Sequence, residues 1–125
     1  MFGSKKTEEE KARARRVRDM RVLVSALGVT AGLAVTSDFK FKQIDQGEVP
    51  IVGAKVTIER GEAAKRVTAS RVALIGVFAL LAKKDATQLF VMIEGADGSE
   101  CLIGVPARKE MAARKFAMAV HQITE

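Results

Sequence analysis

Hydrophobic and polar positions alternate with different periods along the chain, and each period points to an element. Thr7 followed by Glu8-Glu9-Glu10 matches a capping box. The Thr hydroxyl accepts from the amide three residues on, and Glu10 reaches back to the cap. Three acids in the first turn suit the positive end of a helix dipole, so a helix is expected from Glu8 to about Leu27, ended by Gly28. Phe39-Lys40-Phe41-Lys42 alternates apolar and basic residues, the signature of a half-buried strand at a solvent-facing sheet edge. Asp45-Gln46-Gly47-Glu48 reads as a turn. From Gly53 to Glu59 the alternation returns, with Ala54, Val56 and Ile58 inward and Lys55, Thr57 and Glu59 outward, and Arg60-Gly61-Glu62 forms a second turn.

Arg66 to about Leu74 is rich in Val and Thr and is expected as the next strand. Val72 to Ala82 is a continuous apolar run, compatible with buried strands or a buried helix. Gly76 divides it into pieces of strand length, and a glycine inside a helix costs about 1 kcal/mol relative to alanine; two strands are therefore expected. Gln88–Glu94 and Glu100–Val105 flank Gly95-Ala96-Asp97-Gly98-Ser99, a loop suited to a β-hairpin. Pro106 opens a last helix, where its fixed φ is harmless. Along it Ala112, Phe116, Ala119, Val120 and Ile123 form a stripe to pack on a sheet, while Arg108, Lys109, Arg114 and Lys115 occupy the other side. The fold class expected is α+β: an N-terminal helix, an antiparallel sheet or barrel of about six to seven strands, and a C-terminal amphipathic helix. Residues 1–27 read as a basic helix or arm and 28–125 as the domain.

A chain of 125 residues is long enough for one domain with its own core. Its net charge of +6 is unevenly spread, because residues 1–21 hold eight Lys/Arg against four Asp/Glu and residues 107–125 hold four against two. Electrostatic attraction to an acidic partner should therefore come from the two ends. In the first, Lys11, Arg13, Arg15, Arg16, Arg18 and Arg21 spread around the helix, which fits either a solubilising lead helix or an arm for an anionic surface or partner.

Val22–Val35 is apolar and almost uncharged. Its 14 residues fall short of the ~20 a spanning helix needs. A secretory signal is disfavoured by the long, acid-containing lead-in and the absence of a small-residue cleavage pattern, so this segment is expected as core of a cytoplasmic protein. The single cysteine, Cys101, excludes an intrachain disulfide and fits a reducing compartment.

Catalytic chemistry finds no support in the pattern. There is no phosphate-cradling glycine loop. His121 and Cys101, the only histidine and cysteine, cannot complete a zinc set without carboxylates. Ser70 has basic neighbours but no evident base and orienting group, and Glu94, Asp97 and Glu100 match no calcium loop. No enzyme, cofactor or metal is expected. With no Trp or Tyr, the stacking surface of single-strand binders is also poorly supplied.

The order of elements, together with Val52-Gly53-Ala54-Lys55-Val56-Thr57, Lys65-Arg66-Val67-Thr68-Ala69-Ser70-Arg71, Gly76 to Lys84, Ile93-Glu94-Gly95 and Ala113-Arg114-Lys115-Phe116-Ala117, resembles small actinobacterial and actinophage proteins with a pleckstrin-homology-like domain. The resemblance covers about residues 50–123 and implies binding rather than catalysis. A phosphoinositide site would need Lys/Arg on the loop after the first strand, where Asp45, Gln46 and Glu48 stand instead.

The function expected is a non-enzymatic protein-interaction module, and the resemblance implies an actinobacterial or phage-encoded one acting on a host protein or in an assembly. It would use either the Phe39, Lys40, Phe41 and Lys42 edge, by strand addition, or the basic side of the last helix with the lead helix as an arm. A basic accessory protein on nucleic acid is the second reading. Attachment to a membrane surface through residues 13–35 is the third. Homo-oligomerisation is also compatible with the apolar surface of Val22–Val35.

Overall fold

A computed structural model describes residues 7–28, 32–43, 46–69, 72–84 and 88–123, the side chains at 72, 73, 83 and 84 excepted. The positions Asp45, Ser70 and Arg71 singled out above lie outside the described residues. The first helix, α1 (Glu8–Ser25), starts as its sequence requires: the Glu10 amide donates to the Thr7 hydroxyl at 3.1 Å and the Thr7 amide donates to Glu10 Oε1 at 3.0 Å. Val17, Met20, Val24 and Leu27 recur at three- and four-residue spacing and are buried in the main core. The second half of α1 is thus packed on the domain, while its cations stay in water. Of the Val22–Val35 segment, Val24, Leu27, Leu33 and Val35 enter that core and Val22 remains exposed.

Two antiparallel sheets of three strands follow. The first contains β1 (Leu33–Val35), β2 (Lys40–Gln43) and β3 (Gly47–Pro50), in that order. Its central strand is β2, paired through Phe41 with Val35 on one side and Val49 on the other. This corrects the expectation of an open edge at Phe39–Lys42. The alternation of Phe and Lys sets which faces are wet, and says nothing about whether the backbone is already paired. The second sheet contains β4 (Lys55–Arg60), β5 (Leu89–Glu94) and β6 (Glu100–Val105), again in sequence order. The expected hairpin is present, with Glu94 opposite Glu100 and Leu89 opposite Val105.

Between β4 and β5 the chain departs from the expected strands. Residues 61–84 form two helices, α2 (Gly61–Ala69) and α3 (Val72–Lys84). Gly61 turns the chain sharply at φ 47°, a conformation open to glycine, but leads into a helix. Along α3, Leu74, Val77, Phe78, Leu81 and Ala82 recur at i, i+3, i+4, i+7 and i+8, and they pack with Ala64 and Val67 of α2 on Phe90, Met92 and Leu102 of the sheet. This helical period lies inside a run where every position is apolar, so the outward half of the pattern hid it. Gly76 is on the exposed side of α3, where its propensity cost is outweighed by the packing of the other face.

The opposite face of the second sheet meets the main core. There α4 (Glu110–Gln122), entered through Pro106 and a 3-10 turn over 107–109, inserts Ala113, Phe116 and Val120. The rings of Phe116 and Phe41 are 5.4 Å apart and tilted by 55°, tying the C-terminal helix to the first sheet. With helices on one side and core on the other, β5 and β6 are buried on both faces.

Candidate functional site

The turn Thr36-Ser37-Asp38-Phe39 joining β1 to β2 builds the most distinctive surface feature. The Phe39 amide donates to Thr36 O at 3.1 Å, the Thr36 amide to Lys40 O at 2.9 Å, and the Lys40 amide to Thr36 Oγ1 at 3.1 Å. Closing this loop puts Phe39 at φ 61°, the left-handed region, where it is the one non-glycine among the described residues. A bulky residue there is an outlier costing about 1–3 kcal/mol, held because its surroundings leave it no alternative. The surroundings are the core below Phe39, 8% exposed, and Arg16 above it, with the guanidinium 4.7 Å from the ring centroid.

Around this pair lies an open groove of about 450 Å³, lined by Arg13 and Arg16 of α1, by Asp38, Phe39 and Lys40, and by Pro50, Ile51 and Val52 after β3. Three cations face one acid. Lys40 Nζ lies 3.7 Å from Asp38 Oδ2, and Thr36 Oγ1 donates to Asp38 Oδ1. The Thr36 hydroxyl first, with Lys40 adding less, holds the Asp38 carboxyl below its ordinary value. Asp38 is therefore a fixed anion that offsets part of the field, leaving Arg13 and Arg16 to attract a carboxylate or phosphate beside an apolar wall.

The fold treats the other nominated residues differently. Arg21 donates through Nε and Nη2 to Val35 O at 3.1 and 3.0 Å, covering the outer edge of β1. Lys11 pairs with Glu8 at 3.7 Å, and Arg15 and Arg18 are exposed on α1. Phe41 is fully buried, whereas Lys42 is exposed on the other face of β2. On the last helix and its lead-in, Arg108 and Lys115 are exposed and Lys109 is half-buried. Arg114 is bonded to Glu110 at 2.7 Å, and Arg60 of β4 bonds the same carboxylate. Arg114 and then Arg60 hold the Glu110 carboxyl below its ordinary value. None of the residues on the C-terminal side lines the groove, so the two basic ends do not form one surface there.

Side chains cap three of the outer strands, β6 and β4 besides β1. Gln46 binds β6 with both ends of its carboxamide, donating to Leu102 O at 3.0 Å and accepting from Leu102 N–H at 2.8 Å. His121 Nε2 accepts from Val56 N–H at 2.9 Å on the outer side of β4. Such caps oppose strand addition, which needs those same groups.

Cys101 is buried at 1% exposure, and burial pushes its thiol up to about 12. Among the described residues, no group of three or more His, Cys, Asp or Glu is placed to hold a metal ion, and no helix is long and apolar enough to cross a membrane.

Sequence reasoning nominated Arg13, Arg16, Phe39 and Lys40 on separate elements, and the fold brings these four together. It missed Asp38, Pro50, Ile51 and Val52. The available signal was Thr36-Ser37-Asp38, a turn composition that would have ended the preceding strand before Phe39. Compared with protein-family models, curated proteins and solved structures, the chain matches none.

Proposed function

We infer that the protein is a non-enzymatic interaction module, a pleckstrin-homology-like adaptor that binds an acidic segment of another protein in the Arg13–Arg16–Phe39 groove. The observation carrying this reading is the strained backbone at Phe39, because it fixes the ring as a floor beneath Arg16 at the centre of the cationic groove. Two antiparallel sheets finished by a C-terminal helix support the family likeness; the α2–α3 pair between β4 and β5 departs from a simple strand meander. The protein's place in this reading is the cytoplasm.

Nucleic acid is the second reading, supported by the exposed Arg15 and Arg18 of α1. It is weakened by the aromatics: Phe39, Phe41, Phe90 and Phe116 are buried, which leaves little for bases to stack on. Membrane attachment through residues 13–35 is weakened likewise, since six of its apolar side chains are core.

A peptide-display selection against the full chain tests the reading. Enriched ligands are expected to be rich in Asp and Glu, and Arg13→Glu/Arg16→Glu should weaken the best of them by about tenfold or more. Acid-independent ligands, ligands indifferent to that double variant, or tighter binding to DNA with a steep salt slope would each reject it.

A further inference from the structure

The outward side of α3 is apolar and uncovered. Ile75 is 48% and Leu80 65% exposed, and Gly76 and Ala79 between them are exposed too. At about 100° per residue these positions form one arc, and residues 72–82 contain no charged side chain. A patch of this kind marks an interaction surface.

Its surroundings indicate the occupant. Both helices lie on one face of the second sheet, so their solvent sides point the same way, and α2 presents Lys65 and Arg66 there. Residues 61–84 carry five Lys/Arg and one Glu, a local excess concealed by the neutral balance of the whole middle of the chain. Between the helices an open cleft of about 220 Å³ has Phe78 and Phe90 as walls and Lys65 and Glu62 at its rim. Among the described side chains, the exposed positions of α3, Ile75, Gly76, Ala79 and Leu80, offer no hydrogen-bonding group by which a protein partner could be read. Cations beside an uncharged helix face are complementary to anionic headgroups above an acyl layer. With 13 residues, α3 is far short of the ~20 needed to span, so its geometry is to lie in the interface.

We propose that the α2–α3 hairpin docks on an anionic lipid surface, with Ile75, Ala79 and Leu80 in the acyl boundary and Lys65 and Arg66 at the headgroups. This surface is separate from the groove and from residues 13–35, and stands independently of the adaptor reading.

The chain contains no tryptophan, so Leu80→Trp installs a single reporter at an exposed position. Mixed with vesicles of phosphatidylcholine and phosphatidylglycerol, this full-length variant should show a blue-shifted emission that brominated acyl chains quench. Pure phosphatidylcholine should give a much smaller shift. In flotation, Leu80→Glu and Lys65→Glu/Arg66→Glu should each reduce the recovered protein by about tenfold while leaving thermal unfolding unchanged. An unshifted reporter overturns the proposal, as does flotation that survives Leu80→Glu. Flotation requiring Arg13 and Arg16 but not Leu80 transfers lipid binding to the groove and overturns it as well. A Leu80-dependent dimer that ignores vesicles assigns the face to a second copy of the chain instead.

Discussion

Cys101 sits in β6 with apolar neighbours on both faces, and its chemistry follows from that position. A thiol raised to about 12 is almost entirely protonated near neutrality, and only the thiolate is a nucleophile. Iodoacetamide at pH 8 should therefore leave the native protein unmodified and label it rapidly in denaturant; fast native labelling would mean that β6 opens. The linkage has a definite sign. Above the ordinary thiol value near 8.5, the unfolded chain ionises while the folded one stays neutral, so this residue's contribution to stability falls as pH rises from there to about 12. His121 is diverted in another way: accepting the Val56 amide requires an unprotonated Nε2. The burial of Cys101 was legible from the apolar run that holds it. The carbonyl and amide caps made by Arg21, Gln46 and His121 were not, since each joins residues far apart along the chain.

Among the elements, α1 and the β5–β6 hairpin were legible because their signals are local. A capping box and a glycine-rich loop act over a few residues. The helices α2 and α3 were not, because Gly76 and the Val/Thr content argued for strands while the decisive fact was the sheet face waiting to be covered. The same glycine gives a test. A Cβ at Gly76 meets nothing within 4 Å, so Gly76→Ala should stabilise the protein by about 0.5–1 kcal/mol, read as a higher midpoint in urea. A loss of stability would mean that residue 76 is not within a helix. Gly104 behaves oppositely: it pairs with Phe90, and an added methyl would run into the Gln88 carboxamide, which also holds Leu81 O at the end of α3.

For the whole molecule, Gln46 adds a polar joint between the two sheets to the apolar core they share. It lies between β2 and β3, yet its carboxamide completes the outer side of β6 at Leu102, 56 positions away. Gln46→Ala removes both bonds and deprives the Leu102 amide and carbonyl of their partner. A loss of about 2 kcal/mol is expected, seen as a lower urea midpoint with an unchanged slope. A shallower, biphasic transition would show instead that the two sheets unfold separately.

By itself the sequence determined the α+β class, the framing helices, the final hairpin and the burial of its lone cysteine, since these rest on local period, capping and composition. Only the tertiary structure decided that β2 is central, that residues 61–84 are helical, and that Arg13 and Arg16 meet Phe39. Pairing partners and the covering of a face depend on contacts between distant segments, and an apolar residue is compatible with any element able to bury it.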